Sequence, residues 1–527
     1  MSSCRARIVW HASAVALWLI ASTTLYGDEP LTKRGPWLIQ RETQSGHGVW
    51  VYTIELTLHP REEARPALRY RFVPDEFDQV DGNAAIYYLK AMGFLQQEPA
   101  REQLMAYEKQ AWERVQEERK AGNSEATPPP YSWEEMAPSQ LPLEEVKKYL
   151  AFVSFQPQYL REAARRRYMD FDRQLRTDEN PLGYLLPDIQ EMRMLARIQS
   201  VRCKVAIAEN RLDDAIEILG QLYAMARHLG EDDTVVANYV GEYCASIAWE
   251  NALQLVQHRD APNLYWAFAS LPDPLIDTRR SIAFERQMLY LQFPMLREVD
   301  ETPRPAGYWQ DFVDRLAPKY FQWEAEQRSR LASQYREPAA ARTALIGFLA
   351  FAYPDAKRYL IEQCQLPREQ VDAYPTAQVV FLAVVRYYDR MRDEVSKWSF
   401  VPFERGPARA DDQWSAKSVV EQSGETGWFA RPTHKLMSSA GAFPALSVQS
   451  NRTAAMLQTI EAIRMYGAAH DGQLPSDLSQ LPVPAPTDPT TGQAFAYSYA
   501  DDNAVLSWHG SRLQHRIVLH FAKEAGQ

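Results

Sequence analysis

Three histidines, His509, His515 and His520, crowd the C-terminal stretch of this 527-residue chain, and imidazole is a common zinc ligand. Their spacing argues against a shared metal. On a strand from Arg516 onward, His515 and His520 differ by an odd number and point to opposite faces, so exposed or edge-strand histidines are expected. His258-Arg259-Asp260 copies the opening of a kinase catalytic loop, in which an asparagine five residues after the aspartate would hold magnesium. Asn263 lies only three on, no glycine-rich loop or Asp-Phe-Gly accompanies it, and a helix end entering a loop is the better reading. Gly46-His47-Gly48 lacks the third glycine and the following helix of a dinucleotide site. Glu231-Asp232-Asp233 could hold a cation, and a solvated first turn of a helix accounts for it better.

The commonest catalytic signatures are missing. There is no Gly-Lys or His-Glu dipeptide, no Ser-x-x-Lys and no Gly-x-Ser-x-Gly, which removes the P-loop, the usual metalloprotease helix and the nucleophile elbow. Paired carboxylates for glycoside hydrolysis need a fixed separation across a cleft, and 68 acidic residues offer no means of choosing a pair. Trp and Tyr are abundant, and at helical spacing they are read as core rather than as a sugar-stacking groove. The catalytic residues are therefore unknown, and no metal or cofactor ligand is assigned.

The remaining candidates for chemistry are Cys203, Cys244 and Cys364, an odd number at wide spacing. They imply no disulfide framework, although one bridge stays open. Cys203 and Cys244 fall on apolar helical faces, where cysteine behaves as a small hydrophobe.

The elements that would position such groups begin with a leader. Arg5 and Arg7 precede an apolar run from Ile8 to Ile20, and small residues follow up to Gly27, the pattern of a signal peptide over 1–27. A retained anchor needs about 20 apolar residues; this run is shorter and is interrupted by His11 and Ser13. Cys4 precedes the run, so it is not a lipoprotein acylation site. Ala344 to Tyr353 is too short to span a bilayer, and no stable membrane span is expected after cleavage. The net charge is −10 at pH 7, giving no electrostatic footprint for nucleic acid.

After the leader, residues 28–82 read as an N-terminal β-strand segment: Trp50, Tyr52, Ile54, Leu56 and Leu58 alternate with more polar residues, and Leu68, Tyr70 and Phe72 repeat the period of two. Residues 83–401 read as a helical body with an exposed loop near 120–142, where Gly122 and Pro128-Pro129-Pro130 cannot continue a helix. The hairpin around Cys203, Asn210, Leu212, Ala215 and Leu219 resembles one unit of a tetratricopeptide repeat. No second copy follows at the 34-residue offset that a solenoid would require. Thr234 marks a helix start. Residues 402–450, punctuated by glycine and proline, read as a linker, and 451–527 as a helix from Asn451 to His470 followed by antiparallel strands.

In that last module, Ile460-Glu461-Ala462-Ile463-Arg464-Met465-Tyr466, then Asp471-Gly472-Gln473-Leu474-Pro475, Leu478, Asp488-Pro489 with Gly492 and the Phe495/Tyr497 strand resemble the soluble domain of type II secretion pseudopilins. The likeness spans about 60 residues and implies a small helix-plus-sheet fold. Residues 430–450 lack the family's assembly helix, and Trp508-His509-Gly510-Ser511-Arg512 replaces its acid-rich calcium loop. The resemblance thus implies the fold without calcium or pilus assembly. More broadly, Gly82-Asn83-Ala84-Ala85-Ile86-Tyr87-Tyr88 and Pro262-Asn263-Leu264-Tyr265-Trp266 make the chain similar to uncharacterised exported bacterial proteins that set such a module after a helical body.

The expected fold is mainly α, a helical bundle with one tetratricopeptide-like hairpin, N-terminal β-strands and a small C-terminal α+β module. The expected role is a non-catalytic interaction or scaffold protein of the cell envelope, periplasmic or extracellular, docking to a protein partner or to itself. The alternative is an envelope hydrolase with dispersed carboxylates in a deep cleft within 143–400.

Overall fold

The computed structural model describes residues 32–34, 37–44, 47–93, 99–124, 126–178, 180–326, 337–403, 423–425, 427–437, 443–500, 502–509 and 513–522. The leader, 1–27, lies outside the described residues.

The alternation of Trp50 to Leu58 forms strand β3 (His47–Leu58), which follows β1 (Thr32–Arg34) and β2 (Trp37–Gln44). Of Gly46-His47-Gly48, His47 and Gly48 open β3, with His47 registered on Gln44, and Gly46 lies outside the described residues. The expected second strand is not there. Leu68 to Phe72 runs as turns across the helices, because Phe72 is drawn between Tyr223 and Phe268, with ring centroids at 5.1 and 4.9 Å. Its carbonyl lies so close to Gly220 that a Cβ there would approach to 2.9 Å.

After a four-residue strand β4 (Val80–Asn83) come helices α1 (Ala85–Ala91), α2 (Pro99–Lys120), α3 (Leu143–Phe152) and α4 (Gln156–Ala164). Strand β5 (Arg166–Tyr168), unforeseen in the sequence, pairs parallel with β4. Asn83 fixes this corner: its Oδ1 accepts from the main-chain N–H of Ala85 and Asp170, both at 2.9 Å. The loop expected near 120–142 is only partly exposed. Trp133 and Leu141 are buried with Tyr149 and Val201, since removing a tryptophan from water outweighs the local preference for coil.

Helices α5 (Pro187–Ala208), α6 (Leu212–Gly230) and α7 (Val235–Val256) follow. Asn210 takes φ +56° in the turn between α5 and α6, and the Cys203 thiol lies 3.7 Å from the Ala215 carbonyl. Thr234 caps α7 by accepting from the Ala237 N–H, as expected of its position. Helices α8 (Ala306–Glu326), α9 (Pro338–Glu362) and α10 (Thr376–Ser396) form a second group. Ala344 to Tyr353 lies within α9, with Leu345, Leu349 and Ala352 buried. Among the described residues no helix is long and apolar enough to cross a membrane.

Part of 402–450 is structured rather than a linker. Phe429 is buried against Tyr359 and Tyr387, and helix α11 (Phe443–Ala469) begins eight residues earlier than the pattern from Asn451 suggests. Residues 404–422 lie outside the described part. Asp471 (φ +48°) and Gly472 (φ +75°) end α11. Strands β6 (Ala496–Ala500), β7 (Asn503–His509) and β8 (Leu513–Phe521) complete the chain.

The first and last strands share one six-stranded sheet, in the order β1-β2-β3-β8-β7-β6. All neighbours are antiparallel except β3 and β8, which run parallel with Ile54 on Ile517 and Leu56 on Leu519. The N-terminal strand segment and C-terminal module are thus one layer, covered by α7 and α11. Trp249 meets Trp508 edge-on at 6.3 Å, and Gly467 leaves room for the Phe521 ring, which a Cβ would approach to 2.4 Å. One hydrophobic core joins this sheet to α1, α5, α6, α7 and α11; a second joins α8, α9, α10 and Phe429. The fold is mainly α with β parts.

Candidate functional site

The residues singled out for chemistry are dispersed. His258-Arg259-Asp260 follows the end of α7, with the His258 N–H on the Leu255 carbonyl. Asn263 is buried and holds main chain, donating from Nδ2 to the Glu461 carbonyl at 2.9 Å and accepting from the Tyr265 N–H. The histidines are not on an exposed edge. His515 and His520 sit on β8, which lies between β3 and β7. His515 stacks on Trp508 at 4.5 Å and lies 5.3 Å from Tyr52; burial, with the nearby Arg452 charge, lowers its pKa to about 4. His520 pairs with the Thr57 hydroxyl at 2.8 Å. The expected opposition of faces holds, because His515 shares the Tyr52 side whereas His520 is registered with Thr57. The side chain of His509 lies outside the described residues.

Glu231-Asp232-Asp233 is not a solvated first turn. Asp232 is buried and accepts from Arg173 Nη1 at 2.7 Å, while the Nε of Arg173 bonds Asp188 at 2.8 Å. Such neutralisation recurs. Arg452 forms a two-pronged pair with Asp488 at 2.9 and 3.0 Å, and Arg197 pairs with Glu134. A carboxylate so held is engaged by the protein's own guanidinium.

The most connected of these centres lies on α11. Arg464 and Glu461, one turn apart on α11, are fully buried and paired at 2.9 Å. The same guanidinium donates to the carbonyls of His59 at 3.0 Å, Pro262 at 3.1 Å and Ala261 at 2.8 Å. Arg61 returns the contact, its N–H on the Arg464 carbonyl at 3.0 Å. One side chain thereby satisfies acceptors at the exit of β3 and in the loop before Asn263. The motifs carrying the family resemblance meet here, and the joint is structural, enclosed on all sides by protein.

Burial raises two other carboxyls well above the usual range: Glu242 to about 8 and Glu285 to about 7. They sit on different elements, α7 and the short helix Arg279–Glu285, and line neither of the two best-formed recesses among the described residues. The larger recess, about 600 Å³, is open to solvent and lined by Arg69, Arg71, Asp75, Arg161 and Glu217 among others, whose charges pair with one another or with neighbours. Neither of these two recesses is the deep aromatic and carboxylate cleft that the hydrolase alternative requires. No group of three or more His, Cys, Asp or Glu able to hold a metal is found among the described residues. Cys203 and Cys244 are buried free thiols, Cys364 a partly buried one; burial pushes the Cys203 thiol up to about 12, the opposite of an activated nucleophile.

What remains open lies on the surface. Strand β6 is the last of the sheet, and Ala496, Ser498, Tyr499 and Ala500 are exposed. On α9, Ile346 and Phe351 face solvent, the latter 70% exposed, with Trp428 at 5.9 Å from the Phe351 ring. Sequence reasoning missed both features, since alternation and helical period show which residues can be buried but not which edge or face is left without a neighbour. Compared with known protein families, curated proteins and solved structures, the chain matches none.

Proposed function

We propose that this chain is an exported, non-catalytic interaction or scaffold protein of the cell envelope, with residues 451–527 built on the plan of a pseudopilin soluble domain and used for docking. The observation that carries the reading is the contrast between a sealed interior, where Arg173, Arg197, Arg452 and Arg464 bind carboxylates between packed elements, and the strand β6, which among the described residues pairs on one side only. Charge neutralised inside the fold serves to hold elements in register. Unpaired main-chain groups at a sheet edge are a template for another chain. The order of α11, the Asp471-Gly472 stop, the Asp488 turn and strands β6 to β8 supports the pseudopilin plan, and the leader-like residues 1–27 support export.

The test is fractionation and affinity capture of the tagged full chain from its source cells after mild cross-linking. The expected result is recovery from the periplasmic or extracellular fraction in a stoichiometric complex with itself or one envelope protein. Retention in the cytoplasm, or recovery as a monomer with no stoichiometric companion, would overturn the proposal.

A further inference from the structure

The two ends of the sheet are finished differently. At one end β1 has only three residues, and a very short edge strand is a common guard against unwanted strand pairing. At the other, β6 reads Ala496-Tyr497-Ser498-Tyr499-Ala500: no charge, no proline and no glycine. Its ladder with β7 is regular, from Ala496 on Ser507 to Ala500 on Asn503, without a bulge. Within the strand there is neither a charged side chain, a proline nor a bulge to guard it.

The open side of this strand belongs to the two tyrosines. In an antiparallel ladder, opposed residues alternate between pairs that exchange both main-chain bonds and pairs that exchange none. The residues flanking a two-residue hairpin connection are of the first kind, which gives Ala500, Ser498 and Ala496 their bonds to β7. Tyr497 and Tyr499 therefore turn their N–H and C=O groups outward. Both rings lie on the same face of the sheet. The Tyr497 hydroxyl is anchored on the Pro475 carbonyl at 2.6 Å, whereas Tyr499 is 42% exposed.

The strand is also a palindrome about Ser498. Placed antiparallel against a second copy of itself, it sets Tyr497 opposite Tyr499, Tyr499 opposite Tyr497 and Ala496 opposite Ala500, with Ser498 facing its own counterpart on the twofold axis. Each Tyr pair then exchanges two main-chain bonds, and each exposed Tyr499 ring gains an aromatic cross-strand neighbour. No like charges are opposed within the strand. An edge complementary to itself is what an isologous twofold contact requires.

We propose that two copies of this chain associate through β6, joining their six-stranded sheets into one continuous sheet across a twofold axis at Ser498. The proposal rests on the interaction reading above and names the partner as a second copy. The contact is small, so the dimer is a weak one whose population rises with protein concentration.

Sedimentation equilibrium of the purified chain over a concentration series tests it, together with two variants. Ser498→Cys places one thiol from each copy at a non-hydrogen-bonded pair about 4.5 Å apart at Cα, within reach of a disulfide. It should give a covalent dimer under mild oxidation that wild type does not give. Tyr499→Pro removes only an outward donor, so the ladder with β7 is kept, and it should sediment as a monomer with a melting temperature close to wild type. Monomeric wild type at every concentration overturns the proposal, as does a dimer that Tyr499→Pro leaves intact or in which Ser498→Cys does not cross-link. Capture of a different envelope protein by a monomeric chain would overturn the self-pairing while leaving the interaction reading standing.

Discussion

In the first core, side chains that share one sheet come from opposite ends of the chain, with Thr57 and His520 paired across 463 residues, and buried arginines bridge the joints. In the second, Trp309, Phe312, Phe381, Tyr359, Tyr387 and Phe429 meet ring to ring from helices close in sequence, with centroids such as Phe312 to Phe381 at 5.1 Å. The contrast teaches what each kind of joint supplies. Stacked and edge-on rings supply stability through area and geometry. A buried ion pair supplies little net stability, because desolvation offsets the attraction, but it costs heavily when half of it is removed. The first core must close a very long loop, whose entropic cost grows slowly with length, and Arg464 works there as a clamp on three carbonyls.

Arg464→Ala is expected to have the largest effect, about 3–5 kcal/mol, from stranding the Glu461 charge, with further loss from orphaned carbonyls. Hydrogen exchange should rise across β3, α11 and β8 first. The double change Glu461→Leu with Arg464→Met should recover only part of this, staying roughly 1–3 kcal/mol short. Full recovery in urea titration would show that the clamp on the carbonyls contributes nothing.

Phe312→Ala should cost about 3–5 kcal/mol as a core truncation, with faster exchange confined to α8, α9 and α10. Faster exchange in the terminal sheet as well would erase the distinction between the cores.

Acid should separate them too, whereas on the alkaline side both respond, because burial also raises Glu242 on α7 to about 8. Folding lowers His515 from 6.5 to about 4 and His228 to about 3, by burial in each case. The unfolded chain therefore binds more protons below pH 6.5, and the first core weakens as pH falls from there towards 4. Burial raises Glu285, beside Tyr239 and Tyr388 of the second group, from 4.5 to about 7. Folded chains then keep a proton that unfolded chains release, so that region loses stability as pH rises from 4.5 to about 7. His515→Phe should flatten the acid limb of a melting profile and Glu285→Gln the other. A profile unchanged by either would count against these assignments.

The smallest expected effect is at Thr234, whose hydroxyl accepts from the Ala237 N–H and donates to Asp232 at the start of α7. Thr234→Ala should cost about 1 kcal/mol, read as a small shift of the urea midpoint.

Much of the first core was legible one element at a time. The alternation of Trp50 to Leu58, the α5–α6 hairpin around Asn210 and the Asp471-Gly472 stop are local patterns, and the structure follows each of them. Leu68, Tyr70 and Phe72 show the limit. Their period of two is genuine, but Phe72 is taken by Tyr223 and Phe268, and a side chain buried by a distant helix overrides a local pattern. Asp232 failed for a related reason: its partner Arg173 lies 59 residues away, and nothing in Glu-Asp-Asp signals a buried guanidinium. Of the candidate surface, the composition of β6 was readable, but its place at an edge was not.

By itself the sequence determined the strand from Trp50 to Leu58, the helical character of the α5 to α7 stretch, the cap of α7, the stop of α11 and the scarcity of familiar catalytic motifs, because all of these depend on neighbours within a few positions. The tertiary structure alone decided that β3 and β8 lie side by side, that Arg464 closes the joint between them and the loop at Ala261 and Pro262, and that among the described residues β6 pairs with β7 only. Pairing between distant strands is set by which faces can be buried together once the chain has closed, and no local period carries that information.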